Sequence, residues 1–227
     1  MKIRNVKIKK TKKNDIKKSG YYAVLGNEDL AELLRKGQST TIRNGNELED
    51  IISSQVKFNK VVSISFEELL NMIKTNPTEN FYISKFSLKK EILVDNGIEL
   101  KGKKSISVDG LLYKDSVLYI IEYKDGDNLD TKKSQSEVES LSKISELFTS
   151  LGVDNSPKLV LWRCDDIKNS SIKTSEHREY LTTGIDVADI LDISFNDIQE
   201  IRNKDQEDNV SYFTEQVCKI LNLKKID

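Results

Sequence analysis

The sequence predicts a mixed α/β domain in which a central sheet of mixed strand direction is flanked by helices. Two short apolar runs, residues 104–113 and 117–124, are rich in β-branched and aromatic residues and separated by a small polar turn. A long amphipathic helix pattern and another apolar strand follow them, while helical periodicity precedes them. Helices, then a β-meander, then helix and strand is the order of a layered sheet with helices on its faces.

The elements follow in chain order. Residues 1–20 carry nine Lys or Arg against one acid, Asp15, which reads as a basic arm or short extended segment. Residues 28–37 place Leu30, Leu33 and Leu34 on one helical face, with Gly37 as a stop. Residues 38–44 are polar and read as a loop. A second helix is expected over 45–57, its stripe formed by Leu48, Ile51, Ile52 and Val56. A strand is expected at 61–65, then a helix over 65–74 with Ser65 and Glu68 as a capping box, broken near Pro77.

Residues 80–94 are ambiguous between helix and strand. Short strands are expected at 98–101, 104–113 and 117–124, the last two forming a hairpin about Lys114-Asp115-Ser116. Val138, Leu141, Ile144, Phe148 and Leu151 recur at helical spacing over 134–151, and Gly152 ends that helix. Pro157 precedes a buried strand at 158–164, where Trp162 reads as core. Helices are expected at 185–191 and 209–222. No internal repeat or clear linker divides the chain, so one domain is expected over 1–227. Within it lie a basic arm (1–20), a core (45–165) and a C-terminal α/β region (166–227) suited to recognition or dimerisation.

Composition bounds the function. With 227 residues, 32% charged and 37% apolar, the chain has enough apolar content for a real core. A net charge of −1 does not announce a polyanion binder, but the basic arm, with Lys9, Lys10, Lys12 and Lys13, can neutralise phosphates. The bland reading of that arm is a solubilising terminus. Cys164 and Cys218 lack metal-ligand spacing partners, and His177 alone makes a His-based zinc site or a serine triad improbable. The N-terminus shows no apolar signal region, and no apolar run approaches the roughly 20 residues of a membrane span. A cytoplasmic protein is expected. No GxxxxGK[ST] loop suggests a nucleotide cofactor.

The chemistry-bearing stretch is SISVDGLLYKDSVLYIIEYKDGDNLDTKK. Glu122 and Lys124 stand two residues apart, so a strand projects both to one face. If Asp115-Ser116 is a two-residue turn, positions summing to 231 face each other, and Asp109 lies opposite Glu122. Opposed Cβ atoms in such a pair are about 4.5–5.5 Å apart. Two carboxylates so placed repel each other unless a cation lies between them. Hard oxygen donors suit Mg²⁺, with the Tyr123 carbonyl as a natural further ligand. A nearby lysine can orient or deprotonate a water and counter charge developing on a phosphate. The strand is apolar through Ile121 and then abruptly charged, as at the strand ends where α/β sheets expose their sites. The competing reading is a solvated edge strand, which Glu-x-Lys alone would favour and Asp109 disfavours. Lys132 and Lys133 precede the helix at 134–151. Ser134 or Ser136 at its start could offer N–H groups to a phosphate, or merely cap the helix.

Asp109 followed by Glu122-x-Lys124 on consecutive strands resembles the signature of the PD-(D/E)XK nuclease superfamily. The helix and strand that follow resemble its αβββαβ restriction-endonuclease-like core. The run EYKDGDNLDTKKSQSEVESL is similar to stretches of type II restriction endonucleases. The matching parts span roughly residues 45–165; Val108 stands where the superfamily's name has proline. The resemblance implies that Asp109, Glu122 and Lys124 are catalytic and that Mg²⁺ is the cofactor, with Mn²⁺ as a substitute. It also implies an extra carboxylate from the first core helix, Glu49 in preference to Glu47; both also read as ordinary acids in a helix's first turn. The activity implied is hydrolysis of double-stranded DNA at a short specific sequence by a homodimer. Bases would be read by residues 165–227 and the loops near 20–45. A structure-specific or repair nuclease, or a non-catalytic DNA-binding protein, are the alternatives.

Overall fold

The computed structural model describes residues 2–6, 20–61, 63–100, 102–126, 131–167 and 178–223. The chain groups into two compact units, residues 1–48 with 196–227 and residues 49–195.

The first unit contains α1 (Gly20–Leu25), most of α2 (Glu28–Gln55) and nearly all of α7 (Phe195–Ile220). Its N-terminus is a 3₁₀ turn, Ile3–Asn5, tied to α7: Asn209 Oδ1 accepts from the Ile3 N–H at 2.6 Å, and Arg4 pairs with Asp208 at 2.7 Å. Ala31, Leu33, Leu48 and Ile198 are buried.

The second unit holds a six-stranded sheet in sequential order: β1 (Asn59–Val61), β2 (Phe81–Lys89), β3 (Ser105–Lys114), β4 (Val117–Lys124), β5 (Asn155–Leu161) and β6 (Leu181–Thr183). β2, β3 and β4 are antiparallel neighbours; β1, β5 and β6 join in parallel. Helix α3 (Phe66–Thr75) joins β1 to β2, α4 (Lys90–Asp95) follows β2, α5 (Thr131–Ser150) joins β4 to β5, and α6 (Gly184–Ile190) follows β6. Parallel neighbours need such crossovers, antiparallel ones only turns. Leu141, Ile144, Leu147 and Phe148 of α5 pack with Leu111, Leu118, Ile120 and Leu159 of the sheet, burying the apolar stripe that the periodicity predicts.

The hairpin is as expected. Asp115 and Ser116 both have positive φ, 52° and 66°, the backbone of a two-residue turn whose twist matches its strands. Lys114 pairs with Val117 and Gly110 with Ile121, so facing positions sum to 231. Ser65 and Glu68 form the reciprocal capping box of α3.

Several expectations are corrected. Residues 38–44 are not a loop: α2 runs unbroken through them. Thr40 and Thr41 donate their hydroxyls back to the carbonyls of Lys36 and Gly37, so these polar side chains are satisfied within the helix. Gly37 therefore is not a stop, and the loops expected near 20–45 are largely helix. The strand expected at 61–65 is only the short β1, ending at Val61, and none forms at 98–100. The ambiguous 80–94 stretch divides into β2 and α4. β5 begins at Asn155 and includes Pro157, which faces Ile120; Trp162 to Cys164 lie beyond its end. The C-terminal helix begins at Phe195, well before residue 209.

Gly184 opens α6 where a side chain has no room. A Cβ there would lie 2.6 Å from the Trp162 carbonyl oxygen and 2.9 Å from the Phe195 ring. The carbonyl belongs to backbone and cannot rotate away. Gly184→Ala is expected to destabilise the fold by about 1–3 kcal/mol, read as a lower midpoint in urea denaturation; an unchanged midpoint would show the contact to be relaxed in solution.

Candidate active site

At the end of the hairpin, the β3–β4 ladder closes at Gly110 and Ile121. The next facing pair, by the same register, is Asp109 and Glu122. Rather than continuing the ladder, Asp109 turns its Oδ2 to accept the Tyr123 backbone N–H at 2.8 Å. Glu122 accepts from Lys124 Nζ at 2.8 Å, and the same ammonium reaches Glu137 on α5 at 2.9 Å. The three side chains singled out in the sequence thus lie together, on the hairpin end and partly buried.

Two further side chains join them. Glu49, in the last turns of α2, pairs with Lys85 of β2 at 3.3 Å and feels the Asp109 charge. Lys85 also approaches Asp50 at 3.9 Å. Lys85 has a φ of 60°, a left-handed backbone uncommon for a residue with a side chain. The β2–β3 ladder skips it: Ser84 faces Gly110 and Phe86 faces Val108, but Lys85 and Asp109 are not paired.

The electrostatics follow from this crowding. Burial, then the neighbouring Asp109 and Glu137, push the Glu122 carboxyl up to about 7 despite Lys124. Asp109 is also raised, chiefly by burial, against the Tyr123 N–H and the two lysines, which lower it. Glu49 is raised by burial and by Asp109. Burial lowers the Lys124 ammonium, but Glu122 and Glu137 outweigh it and push it up to about 12. Lys124 is therefore a cation at neutral pH. Burial also raises the phenols of Tyr82, to about 12, and of Tyr123. A Cβ on Gly110, beside this pair, would meet the Tyr82 hydroxyl at 2.9 Å, so that ring would have to shift.

The donor set suits a hard divalent cation in one respect. Asp109 and Glu122 are partly buried carboxylates, the Asp109 charge raises the Glu122 carboxyl, and a cation would relieve that repulsion. Among the described residues, however, no three His, Cys, Asp or Glu side chains converge to hold a metal. Glu49 is paired with Lys85 rather than gathered with the other two carboxylates. The Tyr123 N–H donates to Asp109, while its ring stacks edge-on against Trp162.

Lys9, Lys10, Lys12, Lys13 and His177 lie outside the described residues. Lys132, Lys133 and Ser134 fall in the first turn of α5, their side chains outside the description. Asp125 pairs with Arg163 at 3.0 Å. Glu47 falls in the first unit. Sequence reasoning missed Glu137 and Lys85. Glu137 sits one residue before the apolar Val138, where helical phase could have pointed it toward the hairpin end. No sequence signal marks Lys85. Among the described residues, no helix is long and apolar enough to cross a membrane.

The layered sheet, with a carboxylate pair and a lysine at the end of its central hairpin, has the form of an α/β enzyme fold with its charged site at strand termini. The chain belongs to the type II restriction enzymes: it is similar to the type II restriction enzyme HhaII of Haemophilus parahaemolyticus, 31% identical over 216 residues that cover 89% of each chain. No protein-family model and no solved structure matches the chain.

Glu122 gives the metal-free protein a pH dependence with a defined sign. Its ordinary value near 4.5 is raised to about 7 in the fold, so the folded state holds the proton more tightly than the unfolded. Stability from this group is complete below pH 4.5 and is lost as the pH rises through 7; Asp109 and Glu49 act with the same sign. Thermal melts in EDTA should show the midpoint falling between pH 5 and 7, and Glu122→Gln should flatten that fall. A midpoint that rises over the same interval would contradict the assignment.

Proposed function

We propose that the protein is a Mg²⁺-dependent endonuclease of the PD-(D/E)XK superfamily that hydrolyses both strands of DNA at a short specific sequence, acting as a homodimer. The observation carrying this reading is the meeting of Asp109, Glu122 and Lys124 at the end of one hairpin. The similarity to HhaII, whose name describes a type II restriction enzyme, supports DNA as the substrate.

Asp109 and Glu122 would hold the ion, with Glu49 available once Lys85 releases it. When bound, Mg²⁺ supplies charge to polarise the phosphate and acidify a water. The chain's own residues do the rest. The Tyr123 N–H fixes Asp109, so the carboxylate is oriented before substrate arrives. Lys124, kept protonated by its two glutamates, is poised as a cation beside the scissile phosphate, countering the charge that develops as water oxygen bonds to phosphorus and the P–O bond to the leaving sugar oxygen breaks. Glu137 holds Lys124 from the helix side, so its ammonium stays positioned when Glu122 turns to the ion. A twofold dimer would present one such site to each strand of a palindrome.

Incubation of plasmid or phage DNA with the protein and Mg²⁺ is expected to give discrete fragments, and EDTA to abolish them. Asp109→Ala and Lys124→Ala should each reduce cleavage by at least about 10²-fold, in the range typical of groups stabilising transition-state charge, while binding to DNA persists. Cleavage at the wild-type rate in both variants would remove the site assignment. Preference for branched over linear DNA would instead favour a structure-specific nuclease.

A further inference from the structure

Beyond the catalytic cluster, strands β2 and β3 continue as a ribbon of two. β1 pairs only with Phe81–Ile83 of β2, and β4 only with Gly110–Lys114 of β3. From residue 84 on one strand and 109 on the other, neither strand has a further sheet neighbour. The ribbon is two-faced. Phe86, Leu88, Ile106 and Val108 are buried in the core, while Lys85, Ser87, Lys89, Ser105 and Ser107 are exposed.

Alternation makes the exposed side chains one continuous surface. Ser87 faces Ser107 and Lys89 faces Ser105. Asp109 follows Ser105 and Ser107 along β3, at the point where the β2–β3 ladder is interrupted. The exposed row thus ends beside the active site. It contains hydroxyls and ammonium groups and no acid before Asp109. Lys90 and Lys104 lie just past the ribbon's end, where the Lys90 N–H donates to the Lys104 carbonyl at 3.0 Å. Both are exposed.

Exposed strand faces usually carry larger or β-branched residues that cover their neighbours. Serines opposite one another leave this face low, so that a polymer backbone can approach the sheet closely. Hydroxyl donors and lysines are the groups that bind phosphate oxygens without reading sequence. Lys85 stands where this row meets the cluster, held to Glu49 by an ion pair on a half-exposed side chain.

We propose that the exposed face of the β2–β3 ribbon, Lys85, Ser87, Lys89, Ser105 and Ser107 with Lys104 just past its end, is a track for the sugar–phosphate backbone of DNA leading to the scissile phosphate. The inference rests on the nuclease reading above and adds where the strand lies. It also assigns Lys85 two partners in turn: Glu49 in the free protein, and a phosphate next to the scissile one when DNA is bound, which frees Glu49 toward the ion.

The test measures binding of a labelled random-sequence duplex in EDTA at several salt concentrations, so that it does not depend on cleavage. The slope of log affinity against log salt counts phosphates neutralised, at about 0.9 for each contact. Lys89→Ala/Lys104→Ala should reduce the slope by about two and weaken all sequences alike, and Lys89→Arg/Lys104→Arg should restore it. Ser107→Glu, which places an acid in the row, should weaken binding with the melting temperature unchanged. Lys60→Ala/Lys74→Ala, on β1 and α3, should keep the wild-type slope. An unchanged slope in Lys89→Ala/Lys104→Ala, or an equal loss in Lys60→Ala/Lys74→Ala, would overturn the track. If the wild type cuts DNA in Mg²⁺ while the slope stays unchanged, only the track fails; if the wild type neither binds nor cuts, the nuclease reading fails with it.

Discussion

The structure turns on the placing of Asp109 and Glu122 opposite each other at the end of one hairpin. Partly withdrawn from water, Asp109 raises the affinity of Glu122 for its proton. The fold tolerates them through a small set of compensations: a backbone N–H from Tyr123 to Asp109, and the ammonium of Lys124 shared by Glu122 and Glu137. A buried charge cluster of this kind contributes little net stability, since removing the charges from water offsets most of the attraction. Its persistence at a strand end is better explained by chemistry than by folding.

The scaffold makes that placement reproducible. The two positive-φ residues of the Asp115-Ser116 turn fix the hairpin register, and a slip of one residue would send Glu122 and Lys124 to the other face. Helix α5 covers the sheet with an apolar stripe and brings Glu137 to the hairpin end. Gly110 leaves room for Tyr82, which walls one side of the cluster. On the neighbouring strand the ladder breaks at Lys85, and its left-handed backbone turns a lysine toward Glu49 instead of letting the ribbon pair through. Two lysines thus stand guard over the acids, one on each side of Asp109.

Much of this was legible in the residues. Two apolar runs rich in β-branched and aromatic residues around a short polar turn gave the hairpin, a helical stripe gave α5, and Ser65 with Glu68 gave the capped start of α3, because each is a local pattern with a local cause. The same local reasoning failed where a signal had two outcomes. Thr40 and Thr41 suit a loop or cap, yet in α2 their hydroxyls close on carbonyls one turn back. Pro157 suits a strand's beginning, yet it lies inside β5. In both places the packing of the longer element outweighed the preference of a few residues.

By itself, the sequence determined which charged groups meet and which strands bear them: parity puts Glu122 and Lys124 on one face, and a two-residue turn puts Asp109 across from Glu122. Only the tertiary structure decided their company. Glu137 reaches Lys124 from a helix packed over the sheet, Lys85 meets Glu49 across the gap between α2 and β2, and β2 and β3 run on beyond their neighbours as a ribbon with an open polar face. Those contacts join residues far apart in the chain, and no periodicity encodes them; they arise from how twisted strands and helices pack once the core has closed.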